Sequence, residues 1–458
     1  MKFVEWRTVP IKELYDGLYD GPHATPKPSD YGPVFLGIKN VTDDGCLDLT
    51  DIRHIAEDDY SAWTRRVEPR PGDLVFTYEA TLNRYAIIPH GFRGCLGRRM
   101  ALIRTDPKKV DVRFLLYYFF SDAWRAVIKN NMLTGATVDR IPLTNFPEFP
   151  VSVPPLPIQR RIAGILSAYD ELIENNQRRI RILEDMAHSL YREWFVHFRY
   201  PGHENERSEV SSLRPSVPLV DSPLGRIPQG WEVKKLGDIA EDMRRNIPKG
   251  QLDEPQPYVG LEHIPRRSLA LDSWEIASEL GSNKLAFKKG EVLFGKIRPY
   301  FHKVSIAPFD GLCSADTIVI RARQPEHYAI VVGCVSSDEF VAHATATSNG
   351  SKMPRANWSV LKERPIAIPT LTVARQFSAV VEPAIQQMQT LIFQTTNLRR
   401  TRDLLLPRLL SGQIALATDT PPIYDEDEFK RMVEKGTQAW AGVPDSAAWV
   451  ETLRGNKE

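Results

Sequence analysis

Between Lys289 and Val304 the sequence reads KGEVLFGKIRPYFHKV, in which an apolar stretch, Val292-Leu293-Phe294, runs into Lys296, Arg298, Tyr300, His302 and Lys303. Lysine and arginine suit phosphate oxygens and guanine edges, and a tyrosine hydroxyl suits phosphate or base, so a strand ending in this loop has the chemistry of a nucleic-acid contact. A second group, Lys352, Arg355 and Asn357, follows Gly350, and the asparagine adds an adenine-reading amide. Nearer the N-terminus the same residue types recur as Tyr78, Thr81, Asn83 and Arg84, then Arg98 and Arg99, then Thr137 and Arg140 after Gly135. Together these are the candidate nucleic-acid contacts.

Residues that would carry catalysis are not arranged to do so. The chain has no GxxxxGK[ST] phosphate loop, no GxGxxG turn after a strand, no HExxH helix and no GxSxG elbow. Asp73 and Glu291 each stand directly after a glycine at the start of an apolar run, which reads as turn chemistry rather than a nuclease-like carboxylate. Cys46, Cys95, Cys313 and Cys334 are scattered, with no CxxC pair and no histidine at ligand spacing, so free thiols and no metal site are expected. A non-catalytic chain without its own cofactor follows.

At 458 residues, 42% of them hydrophobic, the sequence is too long for one core and rich enough to fill two or more. Its 59 Lys and Arg nearly balance 58 Asp and Glu, so any basic surface must be local. The N-terminus MKFVEWRTVPIK lacks the apolar core of a signal peptide, and FLLYYFF (Phe114 to Phe120) falls far short of the roughly 20 residues that span a bilayer. A cytoplasmic protein with no membrane partner is expected.

The elements that must position these loops are written twice. PGDLVFTYEATLNRYAIIPHGFRGCLGRRMALIRT, from Pro71, aligns with KGEVLFGKIRPYFHKVSIAPFDGLCSADTIVIRA, from Lys289, with Gly72 opposite Gly290 at an offset of 218 and Arg104 opposite Arg321 at 217. PVFLGIKNV pairs with PYVGLEHI, TGATVDRI with NGSKMPRA, and VPPLPIQRRIAGIL with IPTLTVARQFSAVV, the last aligning Gln159 with Gln376. Recurrence at a near-constant period marks a tandem duplication. The framework residues match while the loop residues differ, TYEATLNRY against GKIRPYFHK, as two readers of different sequences require.

Each copy begins with short Val/Ile/Leu/Phe runs broken by Gly, Pro and Asn, the signature of a curved sheet with long loops, and ends in a long helix. In the first helix Leu166, Ile173, Ile180, Ala187 and Trp194 form one heptad seam, beside Tyr169, Asn176, Leu183, Leu190 and His197. In the second, Ala384, Leu391, Leu398 and Leu405 recur every seven residues beside Ile385, Met388 and Ile392, with Pro383 near the start and Gly412 at the stop. Neither stripe is stable exposed, so Ile173, Ile180, Leu183, Leu190, Leu391, Leu398 and Leu405 are expected to pack one helix on the other. Two-fold pseudo-symmetry would make the helices antiparallel, with the globular parts at opposite ends of a rod of roughly 60 Å.

In this order, twice, IPQGWEVKKLGDIA, GDLVF, GEVLFGKIRP, VPPLPIQRRIAGIL and LLLPRLLSGQI resemble the specificity subunits of type I restriction-modification systems, up to about Leu416. The resemblance implies an α+β chain: two globular mixed α/β target-recognition domains separated by two long antiparallel coiled-coil helices, with an internal pseudo-two-fold repeat. Its expected divisions are 1–153, first recognition domain; 154–200, central helix; 201–230, linker; 231–368, second recognition domain; 369–416, C-terminal helix; and 417–458, an extension of unknown role. It further implies double-stranded DNA read in two halves, the helices acting as a ruler for the gap. Two modification subunits holding S-adenosylmethionine and restriction subunits using ATP and Mg are the implied partners. The competing reading from the residues alone is a non-catalytic coiled-coil adaptor that binds protein partners.

Overall fold

The computed structural model describes residues 6–134, 138–202, 217–414 and Leu416. They form two compact units, one from the described residues up to 171 with those from 398 onward, the other from 172–397.

The first unit runs β1 (Arg7–Pro10), β2 (Tyr15–Asp20), β3 (Ser29–Leu36), β4 (Arg53–His54), a single turn α1 (Tyr60–Trp63), then β5 (Leu74–Thr77), β6 (Tyr85–Ile87), β7 (Gly94–Leu96) and β8 (Met100–Thr105). Helices α2 (Val112–Phe119) and α3 (Asp122–Asn131), strand β9 (Pro150–Val153) and the long α4 (Leu156–Tyr191) follow. Strand order is β2-β8-β5-β6 in one sheet and β4-β3-β7 in another, with β1 antiparallel to β9. The whole of β5 is buried, which is why it reads as a continuous apolar run instead of alternating. The two helices start where their sequence can satisfy free N–H groups: Asp111 accepts from the N–H of Arg113 and Phe114 at 3.0 and 3.1 Å, and Ser121 from that of Trp124 at 3.2 Å.

In the second unit the hairpin β10 (Leu219–Ser222) and β11 (Gly225–Pro228) comes first, inside the stretch expected to be linker. Then come β12 (Glu232–Lys235), the turn α5 (Leu236–Ile239), β13 (Ala240–Asp242), β14 (Arg245–Ile247), β15 (Gln256–Val259), β16 (Glu275–Ala277), β17 (Lys284–Phe287), β18 (Val292–Gly295), β19 (Val304–Ile306), β20 (Gly311–Ser314) and β21 (Thr317–Ala322). Helices α6 (Tyr328–Ser336), α7 (Asp338–Ala346) and α8 (Trp358–Leu361), strand β22 (Pro365–Ile368) and the long α9 (Leu371–Leu410) end the series. The order β13-β21-β18-β19 repeats β2-β8-β5-β6, and β20-β15-β16 repeats β7-β3-β4, down to the parallel pairing of β15 with β20 and of β3 with β7. Two strands without counterparts, β14 and β17, extend the second copy from the other edge of β20.

The structure shifts the alignment at its last station. The long helices begin at Leu156 and Leu371, an offset of 215, so Gln159 corresponds to Ala374 and not to Gln376. Gln159 is buried, its Oε1 accepting from the Asp111 N–H at 3.0 Å and its amide donating to the Pro154 carbonyl at 2.8 Å, whereas Gln376 is exposed. The early start also places Pro383 inside α9 and not near its beginning; there it removes the N–H that would bond the Ala379 carbonyl. Gly412, left-handed at φ +72°, stops the helix.

Leu166, Ile173, Ile180, Ala187 and Trp194 are all buried, as are Leu183, Leu190, Ile385, Met388, Leu391 and Ile392, while Leu398 and Leu405 are half-buried and His197 is exposed. The two long helices are antiparallel: Asp170 meets Arg402, and Trp194, further along the chain, meets Phe377, earlier on α9. Among the described residues no helix is long and apolar enough to cross a membrane. The extension 417–458 lies outside the described residues.

Candidate nucleic-acid interface

Three loops of the first unit meet at one backbone junction. The β5–β6 loop carries Tyr78 to Arg84, the β7–β8 loop Arg98 and Arg99, and the segment after α3 carries Leu133 and Arg140. Tyr78 N–H donates to the Arg99 carbonyl at 3.2 Å, Ala80 N–H to Asp139 at 2.9 Å, and Ile141 N–H to Tyr78 at 2.7 Å. Arg140 closes the set with antiparallel bridges to both Leu133 and Glu79.

Every one of these bonds has a twin in the second unit. Lys296 N–H donates to the Asp316 carbonyl at 2.8 Å, Arg298 N–H to Pro354 at 2.8 Å, and Ala356 N–H to Lys296 at 3.0 Å, while Arg355 bridges Asn349 and Ile297. Each β-hairpin loop is bracketed by two left-handed residues that are not glycine, Ala80 (φ 71°) and Asn83 (φ 60°) in one, Arg298 (φ 51°) and His302 (φ 52°) in the other. Such conformations cost roughly 1–3 kcal/mol for residues other than glycine and persist only where the surroundings over-determine them. The junction supplies that determination.

The candidate contacts divide by exposure. In the second unit Tyr300 and Lys352 are exposed, Arg355 is exposed with its guanidinium 3.6 Å from Asp316, and Asn357 caps α8 by accepting from the Ser359 N–H at 3.0 Å. The Lys296 ammonium donates to the Ala315 carbonyl at 2.8 Å and that of Lys303 to the Leu261 carbonyl. Burial lowers both lysine pKa values, helped at Lys303 by the nearby positive charge of Arg266. His302 departs from the surface position expected of it. Its ring is buried against the α6–α7 junction, Nε2 donating to the Ser336 carbonyl at 2.9 Å and Nδ1 lying 3.4 Å from Asp338.

In the first unit Arg98 and Arg140 are exposed, and Thr81, Asn83 and Arg84 are half-buried. Asn83 accepts from the Tyr85 hydroxyl at 3.2 Å, Arg84 donates to the Val41 carbonyl at 3.2 Å, and Arg99 pairs with Glu79 at 3.0 Å. Tyr78, like His302, is not at the surface: it belongs to the core, and burial, with Asp20 adding to it, pushes its hydroxyl up to about 12. Thr137 lies outside the described residues. One basic residue beside the second loop was not among the expected contacts, Arg266, whose guanidinium covers the Phe301 ring at 4.1 Å. Its only sequence signal is the pair Arg266-Arg267 after Pro265, more than thirty residues before the ring.

Asp73 and Glu291 hold turns. Each accepts from a backbone N–H three residues earlier at 2.8 Å and takes a two-pronged arginine, Arg104 for Asp73 (2.8 and 2.7 Å) and Arg245 for Glu291 (2.8 and 2.7 Å). The arginines come from unrelated strands, β8 and β14, and Arg321, the repeat partner of Arg104, pairs with Glu241 at 2.8 Å. None of the four cysteines is in a disulfide, and among the described residues no group of three or more His, Cys, Asp or Glu is placed to hold a metal ion.

Known proteins resemble this chain. The family model of the type I restriction modification DNA specificity domain matches residues 65–185. The MjaIX type I restriction enzyme specificity subunit of Methanocaldococcus jannaschii is 25% identical over 417 residues, 88% of each chain. The EcoDI specificity subunit of Escherichia coli is 24% identical over 354 residues, 72% of this chain and 77% of that one. The crystal structure of the type I restriction-modification S subunit from M. genitalium superposes with a TM-score of 0.53 at 14% identity, covering 89% of this chain and 97% of that one. With its doubled strand order and antiparallel long helices, the chain is similar over most of its length to the specificity subunits of type I restriction-modification systems.

Proposed function

We propose that this chain reads a split double-stranded DNA target, one half with each three-loop junction, and directs partner subunits that carry the chemistry. One observation carries the reading: the junctions are twinned bond for bond in their backbones, while the side chains mounted on them differ. A backbone that positions and side chains that vary are what phosphate register and base readout separately require. The recognition domains in this proposal are 1–153 and 231–368, and the two long helices set the gap between half-sites. Two modification subunits bring S-adenosylmethionine to adenine, and restriction subunits bring ATP and Mg; this chain contributes no catalytic group.

The test is modular exchange. Replacing residues 1 to 150 by the corresponding part of a relative, followed by mapping of methylated adenines in cells that carry the partner subunits, should alter one half of the methylated motif and leave the other intact. A motif that changes in both halves, or in neither, would remove the assignment of one half to each junction.

A further inference from the structure

The tip of the β18–β19 loop in the second unit carries two adjacent rings, Tyr300 and Phe301, with centroids 4.9 Å apart. Two guanidiniums lie over the second ring, Arg266 at 4.1 Å and Arg298 at 5.9 Å from its centroid. The segment that bears Arg266 is stapled to the loop, since the Arg267 N–H donates to the His302 carbonyl at 2.8 Å. Arg267 itself is neutralised by Asp338 at 2.8 Å. Neither Arg266 nor Arg298 makes an ion pair or a side-chain hydrogen bond among the described residues, and the Nε of Arg298 is buried without a hydrogen-bond partner.

A guanidinium stacked on an aromatic face is held by its plane, and its N–H donors, which radiate within that plane, stay available. Two such groups over one ring repel each other until an anion lies between or beside them. The anion that matches a planar fork of donors two at a time is a carboxylate or a phosphate. On a loop flanked by Lys296, Lys303 and Lys352, and on the reading proposed above, it is the phosphodiester backbone of duplex DNA.

We propose that Arg266, held on the Phe301 ring beside Arg298, is a backbone-phosphate clamp that the second unit has and the first lacks. In the first unit the corresponding positions are Ala80, where the second has Arg298, and Leu82, where it has Phe301, so neither the platform nor the second cation is present. The clamp fixes the second unit's register on DNA and carries no base preference of its own. This inference rests on the DNA-reading function proposed above.

The experiment uses the full chain assembled with its modification subunits. Binding is measured on two duplexes of equal length, one carrying the target mapped from methylated adenines and one of random sequence, over a series of salt concentrations. Arg266→Gln should weaken both complexes by a similar factor and make the slope of log K against log salt shallower by about 0.9, the signature of one lost phosphate contact. Phosphate-ethylation interference should lose its signal at one position. Phe301→Leu, which keeps both charges but removes the platform, should shift the slope in the same direction by less. An unchanged slope in Arg266→Gln, or a loss confined to the target duplex, overturns the clamp and leaves the DNA-reading function standing. A wild-type assembly that fails to discriminate the two duplexes overturns that function and the clamp with it.

Discussion

Arg140 and Arg355 fill the same place in their two units: each closes antiparallel bridges to two loops at once, Leu133 and Glu79 around the first, Asn349 and Ile297 around the second. The equivalence is one of backbone. It lets the side chains around the junction differ without moving the loops that carry them, and it separates residues that present chemistry from residues that build the loop.

Exposure therefore sorts the candidate contacts. Arg98→Ala and Lys352→Ala should each weaken DNA binding while changing stability by no more than about 0.5 kcal/mol, as surface substitutions do. Tyr78→Phe, which removes a buried hydroxyl that has no partner, should leave DNA binding unchanged and stability equal or higher by up to about 1 kcal/mol. Gel shift and urea denaturation on the same samples check all three, and a binding defect in Tyr78→Phe would contradict its assignment to the core.

Ala80 holds a left-handed conformation with a side chain that resists it. Against the roughly 1–2 kcal/mol of that clash stands the roughly 0.5–1 kcal/mol that glycine adds in chain entropy on unfolding. Ala80→Gly should accordingly stabilise the protein by about 0.5–1 kcal/mol, read as a higher urea midpoint at constant m-value. A lower midpoint would mean that the Ala80 methyl contributes packing that outweighs the strain.

In the first unit Asp170 joins three elements: one oxygen accepts from the Tyr117 hydroxyl at 2.5 Å, the other from Arg402 at 2.6 Å. Burial, then Asp170, raises the tyrosine pKa, and the half-buried Arg402 is kept cationic by Asp170. Asp170→Ala leaves a buried hydroxyl without its acceptor and a partly buried guanidinium with only the exposed Asp403, and should destabilise by about 2–4 kcal/mol. Arg402→Met, which removes the cation with its stem kept apolar, should cost less. Thermal unfolding of both variants checks the order.

Glu184 on α4 is buried, and the Ser268 hydroxyl (2.7 Å) and Ala270 N–H (2.9 Å) both donate to its Oε1. Burial raises its pKa in spite of these donors. A carboxyl whose folded pKa exceeds its unfolded value of about 4.3 contributes stability that is fully present below that value and is lost as pH rises through the folded one. Glu184→Gln keeps one oxygen for both donors and abolishes the titration. Its urea midpoint should gain on the wild type between pH 4 and pH 7, whereas a constant difference would show that the carboxyl does not titrate in folding.

The amino-acid order by itself determined the doubling, the strands that end in polar loops and the heptad seams, because hydrophobic period and Gly/Pro punctuation are local and survive divergence of the residues between them. Leu166, Ile173, Ile180, Ala187 and Trp194 are legible as one stripe before any partner is known, and all five are buried. The tertiary structure alone decided which loop residues face outward. Tyr78 lies in the same short stretch as Thr81 and Arg84, and His302 in that of Tyr300, yet Tyr78 is enclosed by core and His302 by Ser336, segments distant in sequence. It likewise decided that Gln159 aligns with Ala374, that Asp73 and Glu291 take arginines from different strands, and that Arg266 comes to rest on Phe301. Burial and charge pairing depend on what packs from far along the chain, and no local pattern records that.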